Sequence, residues 1–195
     1  MSAAYPFRKG LVAFGDQFRA QIDNAGPPSS EHAVHFCLAL GFQAAYDLAP
    51  GSIVFEKPLN QGRLDLWVVP LDIAVEVKYR RPIPSGRNLP ATQLFGSLLA
   101  DCNKIARAYV RSRLVVYVSD ESGINYLYRT GRGLLPLSLN KRNLIESDDI
   151  EQLPKTAATN AIADGDWSPL TAQLVWEQEC SPWQLLAWQI ESSET

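Results

Sequence analysis

Asp65, Glu76 and Lys78 stand inside two neighbouring runs of strand-forming residues, and that placement constrains the chain more than any other feature. The stretch Gln61-Gly-Arg-Leu-Asp65-Leu-Trp-Val-Val-Pro-Leu-Asp-Ile-Ala-Val-Glu76-Val-Lys78 reads as two adjacent strands joined by a tight turn. Charge in a strand interior is costly unless it is paired or metal-bound. Side chains alternate faces along a strand, so Ile73, Val75 and Val77 fill one face while Glu76 and Lys78 share the other. In an antiparallel partner Asp65 falls opposite them. Two carboxylates and an ammonium then converge, the raw material of a divalent-metal site for phosphodiester hydrolysis. The plain alternative is a solvated cross-strand pair of Glu76 and Lys78, worth about 0.2–1 kcal/mol. It leaves Asp65, Glu31 and Gln93 as coincidences.

The flanking segments supply further polar groups. Glu31, Val34, His35, Leu38 and Phe42 recur at helical spacing, which predicts a helix from Glu31 to about Tyr46 with Ser29 or Ser30 as N-cap. Glu31 then lies on the stripe that packs on the sheet, or serves as a first-turn acid facing the helix dipole. A second helix is predicted from Leu89 to about Val110, with Leu94, Leu98, Cys102, Ile105 and Tyr109 on its apolar face. Gln93, Ser97, Lys104 and Arg111 fall in a narrow polar stripe on it, a set suited to positioning water and contacting phosphate. Strands are predicted over Arg113–Ser119 and Ile124–Tyr128.

This order (helix with Glu, strand, strand with Asp, strand with Glu-x-Lys, helix with Gln, strand) resembles the PD-(D/E)XK nuclease superfamily over residues 29–130. The resemblance implies a restriction-endonuclease-like core, an α/β fold with a mixed central sheet of about five strands flanked by helices. It implies that Asp65 and Glu76 bind Mg²⁺, with Mn²⁺ as a substitute, and that Lys78 orients or deprotonates the attacking water. Glu31 joins the metal shell in that scheme, Gln93 supports the site, and the Val77 carbonyl is a further candidate ligand. Leu64 stands where the family's eponymous proline would be, a position that touches no metal.

Charge is distributed unevenly. From Lys78 to Arg113 there are eight basic residues and one acid, Asp101, in a chain of formal net charge −3. Arg80, Arg81, Arg87, Lys104, Arg107 and Arg111 are the candidates for phosphate contact, the interaction that dominates nucleic-acid affinity. Arg80 to Arg87 is a Pro/Gly-containing loop next to the lysine strand, placed to touch substrate. Cys37, Cys102 and Cys180 are few and scattered, which argues against a disulfide framework. No apolar run approaches a membrane span and no signal peptide is visible, so a soluble, cytoplasmic protein is expected.

The chain of 195 residues reads as one domain: an amphipathic N-terminal helix over 4–24, the core at 29–130, and an irregular, partly helical extension at 131–195. Pro182 is expected to open a short last helix. Trp176, Trp183 and Trp188 belong to a core or, if exposed, to a dimer or partner surface. The function expected is that of a Mg²⁺-dependent deoxyribonuclease. The alternative is a catalytically inactive nuclease-like fold that binds nucleic acid or serves assembly, because fold does not dictate function.

Overall fold

The computed structural model describes residues 5–59, 62–80, 91–131, 133–163 and 165–193. From Glu31 to Asp120 the order is helix, three strands, helix, strand: α2 (Glu31–Tyr46), β1 (Ile53–Pro58), β2 (Arg63–Val68), β3 (Ile73–Tyr79), α3 (Ala91–Ala106) and β4 (Ser112–Asp120). Helix α1 (Arg8–Ala25) precedes them. After β4 come α4 (Glu121–Thr130), β5 (Arg142–Ile145), the short helices α5 (Ser147–Glu151) and α6 (Lys155–Ala161), and the long strands β6 (Leu170–Cys180) and β7 (Trp183–Ser192). Among the described residues the strands form one seven-stranded mixed sheet in the order β1-β2-β3-β4-β7-β6-β5, parallel only between β3 and β4. About five strands were expected; four of the seven lie within 29–130, and the other three, β5 to β7, come from the C-terminal segment. No helix among the described residues is long and apolar enough to cross a membrane.

Two helical layers cover the sheet. Helices α1 and α2 pack over Leu66, Val75, Val77, Val116 and Leu185 on one face. On the other, α3 and the helices after it pack over Ala74, Val115, Tyr117, Leu186 and Trp188. Strands buried on both faces read as continuous apolar runs rather than alternations, which is why β4 and β7 are so rich in Val, Leu, Ala and Trp. Helix α2 starts where Ser30 accepts the Ala33 N–H at 3.3 Å, the expected cap. It lies against α1 backbone to backbone: a Cβ on Gly41 would stand 2.4 Å from Phe14 N. That close approach sets the height of α2 over the sheet, and with it the positions of Glu31 and His35.

Two elements differ in type from the sequence expectation. Ile124–Tyr128 is helix, part of α4, because Asp120 caps it by accepting the Gly123 N–H at 3.0 Å, and Tyr128 points out, 74% exposed. Residues 183–192 are strand β7 rather than a last helix. Leu, Ala and Gln favour helix weakly, but β7 lies between β4 and β6 and buries side chains on both faces, so tertiary context overrides propensity. Trp176, Trp183 and Trp188 are 6%, 2% and 0% exposed, so they form core and offer no tryptophan surface to a partner.

Candidate functional site

The site arises where β2 parts from β3. Their pairing runs Val68↔Ile73, Trp67↔Ala74, Leu66↔Val75 and ends there. Leu64 and Leu66, two apart, would share a face in a regular strand, yet Leu64 packs under α3 while Leu66 packs under α1 and α2. The strand turns over between them, at Asp65, and Glu56 on β1 takes a left-handed φ of 53° beside this point. Asp65 is thereby turned edge-on between the strands. Its Oδ2 accepts the Val77 N–H at 2.7 Å, replacing the backbone acceptor that β2 no longer offers.

One residue pair further on, Glu31 does the same. Its Oε2, reaching from the first turn of α2, accepts the Tyr79 N–H at 2.9 Å. Two carboxylates thus cap the bared edge of β3, which a buried strand edge requires because unsatisfied N–H groups are costly. The Val77 carbonyl lies on this same edge, since the N–H and C=O of a strand residue point the same way.

On the α3 side, β3 presents Glu76 and Lys78 to a helix that carries Asp101 and Lys104. Lys104 Nζ lies 2.6 Å from Glu76 Oε2 and 3.7 Å from Asp101 Oδ1, and Lys78 Nζ lies 2.9 Å from Asp101 Oδ2. Glu76 is 1% exposed, and its Oε1 has no hydrogen-bond partner among the described residues. Burial, then the Asp65 carboxylate, push Glu76 from an ordinary 4.5 up to about 9, with Lys104 acting the other way. For Lys78 burial works downward, but Asp101 together with Glu31 and Asp65 outweighs it and holds the ammonium above its usual value. Burial raises Asp101 against the pull of both lysines. His35, on α2, has its Nε2 3.7 Å from Asp65 Oδ2, too long for a hydrogen bond. Burial lowers its pKa despite the nearby acids, so it is neutral at physiological pH.

The structure brings Asp65, Glu76, Lys78 and Lys104 together and adds two residues the sequence reading did not place there, Asp101 and His35. Asp101 had a signal: it is the lone acid of the basic window and lies one turn before Lys104 on α3, along the stripe of Gln93 and Ser97. Gln93 itself is exposed, eight residues before Asp101, or about 12 Å along the helix axis. The basic residues differ widely in setting. Lys104 is engaged by Glu76, and Arg80 is 6% exposed. Arg107 donates to the Asp166 carbonyl, while Arg111 is exposed. Arg81 and Arg87 lie outside the described residues.

Such an arrangement can hold cations by carboxylate oxygens and neutralise an anion with two ammoniums, all within a partly dry setting where electrostatic interactions are strong. Fold and site together define an α/β protein with a buried lysine–carboxylate cluster at diverging strands. No family model matches the chain, and no curated protein or solved structure matches it either.

Proposed function

We propose that the protein is a metal-dependent nuclease that hydrolyses phosphodiester bonds of DNA, with the core and the chemistry of the PD-(D/E)XK type. The observation that carries this reading is the meeting of Asp65, Glu76 and Lys78 at the divergence of β2 and β3, with Glu76 Oε1 buried and without a hydrogen-bond partner among the described residues. A buried carboxylate oxygen without a donor is an incomplete site, and its chemistry suits a hard divalent cation, which takes oxygen ligands. Glu76 and Asp65 would hold the ion, with Glu31 and the Val77 carbonyl as the further candidates. Among the described residues no three His, Cys, Asp or Glu side chains are grouped as they stand to hold a metal. Loading therefore requires Lys104 to release Glu76.

When bound, Mg²⁺, or Mn²⁺ in its place, would lower the pKa of a water and polarise the scissile phosphate. The chain's own part is electrostatic. Asp101 keeps Lys78 protonated, so Lys78 stabilises negative charge that develops on the phosphate rather than removing a proton. Lys104, once off Glu76, is a second cation for the same charge. Arg111, which is exposed, would meet more distant phosphates.

One observation favours a second reading. With Glu76 protonated, Lys78 and Lys104 balance Asp65 and Asp101, so the cluster is charge-neutral without a metal, as a catalytically inactive nucleic-acid-binding or assembly module would have it. Incubation with circular single- and double-stranded DNA, with and without Mg²⁺ or Mn²⁺, separates the two. We expect metal-dependent nicking or linearisation that Asp65→Asn abolishes. No cleavage by the wild type under any metal, or equal cleavage by the Asn variant, refutes the nuclease reading.

A further inference from the structure

We propose that the cavity walled by β1, β2 and the C-terminal half of α3 receives one unpaired nucleotide of the DNA strand under attack; the inference rests on the nuclease reading and narrows its substrate to DNA with single-stranded character. The cavity measures about 720 Å³, within the range of roughly 300–1,000 Å³ typical of small-molecule sites. Lys57, Lys104 and Arg107 line it, and among its described lining residues there is no acid. Apart from Asn103 the rest of the wall is mainly apolar, with Leu64 and Val110 on it and Tyr109 at its edge. A guest with an anionic part and a flat apolar part matches that division, and a nucleotide has both.

Three details give the wall its shape. Tyr109 is 100% exposed, so its ring offers a face that nothing in the described chain covers, at the rim of a basic cavity. Aromatic faces in such positions are what sequence-tolerant single-strand binders use to stack bases. The Lys57 ammonium stands over the Trp67 ring, 2.9 Å from its centroid, which fixes a long side chain while leaving its charge intact. Arg107 donates to the Asp166 carbonyl and to Asn103 Oδ1, which hold its side chain in place at the cavity.

Lys104 joins the cavity to the cluster. It lines the cavity and its Nζ is 2.6 Å from Glu76 Oε2, so a nucleotide lodged here has its phosphate beside the residues proposed to act on it. A base inside a duplex is stacked on both sides and paired on its edge, and it reaches such a cavity only by leaving the helix, which costs a few kcal/mol. A single strand, a flap or a frayed end pays no such penalty. The cavity therefore selects for unpaired DNA.

The test is binding, not cleavage. Fluorescence anisotropy with labelled single-stranded DNA and blunt duplex of the same length, without divalent metal, is compared for wild type, Tyr109→Ala and Lys57→Met. Tyr109 is wholly exposed, so its loss leaves the fold intact. We expect Tyr109→Ala to weaken single-strand binding about tenfold, the effect of one lost base stack, and to leave duplex binding unchanged. Lys57→Met should weaken single-strand binding and lessen its salt dependence. Equal effects of Tyr109→Ala on both DNAs, no effect on either, or no single-strand binding by the wild type overturns the proposal. A protein that shows the Tyr109-dependent preference but cuts nothing keeps the pocket and loses the nuclease reading. One that cuts DNA and is indifferent to Tyr109→Ala keeps the nuclease reading and loses the pocket.

Discussion

Replacing Glu76 by Gln should make the protein more stable, and increasingly so as the pH rises. With Glu76 protonated, the carboxylates Asp65 and Asp101 balance the ammoniums Lys78 and Lys104; with Glu76 ionised, a buried cluster carries one uncompensated negative charge. That balance, with the burial of the group, is why Glu76 titrates at about 9 in the folded chain against 4.5 for an ordinary glutamate. Lys104 is raised in turn by Glu76 against its own burial, so the two titrate as a pair. The upward direction for Glu76 stands, because burial and two neighbouring carboxylates outweigh one ammonium. A folded pKa above the unfolded one means that the native state holds an extra proton between 4.5 and about 9, and stability falls as pH climbs through that window.

At about 1.4 kcal/mol per unit, the loss between pH 5 and pH 8 comes to about 4 kcal/mol. Gln mimics the protonated acid: its carbonyl still accepts from Lys104, and it does not titrate. Urea unfolding of both proteins at the two pH values reads the difference. With m of about 2 kcal/mol/M, the midpoints should nearly coincide at pH 5 and lie about 2 M apart at pH 8, the variant higher. A constant gap at both pH values, or a variant less stable than wild type at pH 8, would refute the reasoning about Glu76.

Two further outcomes test the elements around the cluster. Lys78→Ala should lower turnover at least about a hundredfold, the low end for a lost electrostatic or acid–base group, while Mn²⁺ affinity measured by calorimetry holds or rises because a neighbouring positive charge is gone. Loss of metal binding along with turnover would instead make Lys78 a structural support. Gly41→Ala drives a methyl into the Phe14 backbone, which cannot yield as a side chain would; we expect a destabilisation of about 3 kcal/mol, the upper part of the overpacking range, and an unchanged midpoint would mean that α1 and α2 separate without strain.

Much of the core was legible because its signals are local. A serine cap at 29 or 30 and the Val34–Leu38–Phe42 spacing place α2 from Glu31 to about Tyr46, and the alternation around Glu76 sets which side chains share a face of β3. The C-terminal third was not. Strands β6 and β7 are recognisable only once β4 is there to cover, and Trp183-Gln-Leu-Leu-Ala-Trp188 carries no period that separates a doubly buried strand from a helix. The cluster was half legible for a similar reason. Spacing places Glu76 and Lys78 together, but which cation meets which acid depends on how α3 lies across β3, and that depends on packing. Lys104 therefore read as a phosphate contact and stands on Glu76 instead.

The same geometry decides how the proposed site must be dissected. Asp65 and Glu31 are strand-edge acceptors as well as candidate ligands, accepting the Val77 and Tyr79 N–H groups of β3. Truncating Asp65 to Ala removes the acceptor of the Val77 N–H, at a cost of about 1–3 kcal/mol, and truncating Glu31 removes a tie between β3 and α2. A lost activity in the Ala variant would then report the collapse of an edge, not the absence of a ligand. Asn at 65 keeps the carbonyl oxygen that accepts from Val77 and removes only the charge, so Asp65→Asn isolates electrostatics and Asp65→Ala adds the structural loss. If the two variants unfold at the same urea midpoint, the Asp65–Val77 hydrogen bond contributes nothing to the fold. The divergence of β2 from β3 would then need another cause. If Asn is as stable as Asp and Ala is not, the carboxylate's charge is left free for chemistry, which is what the nuclease reading requires of it.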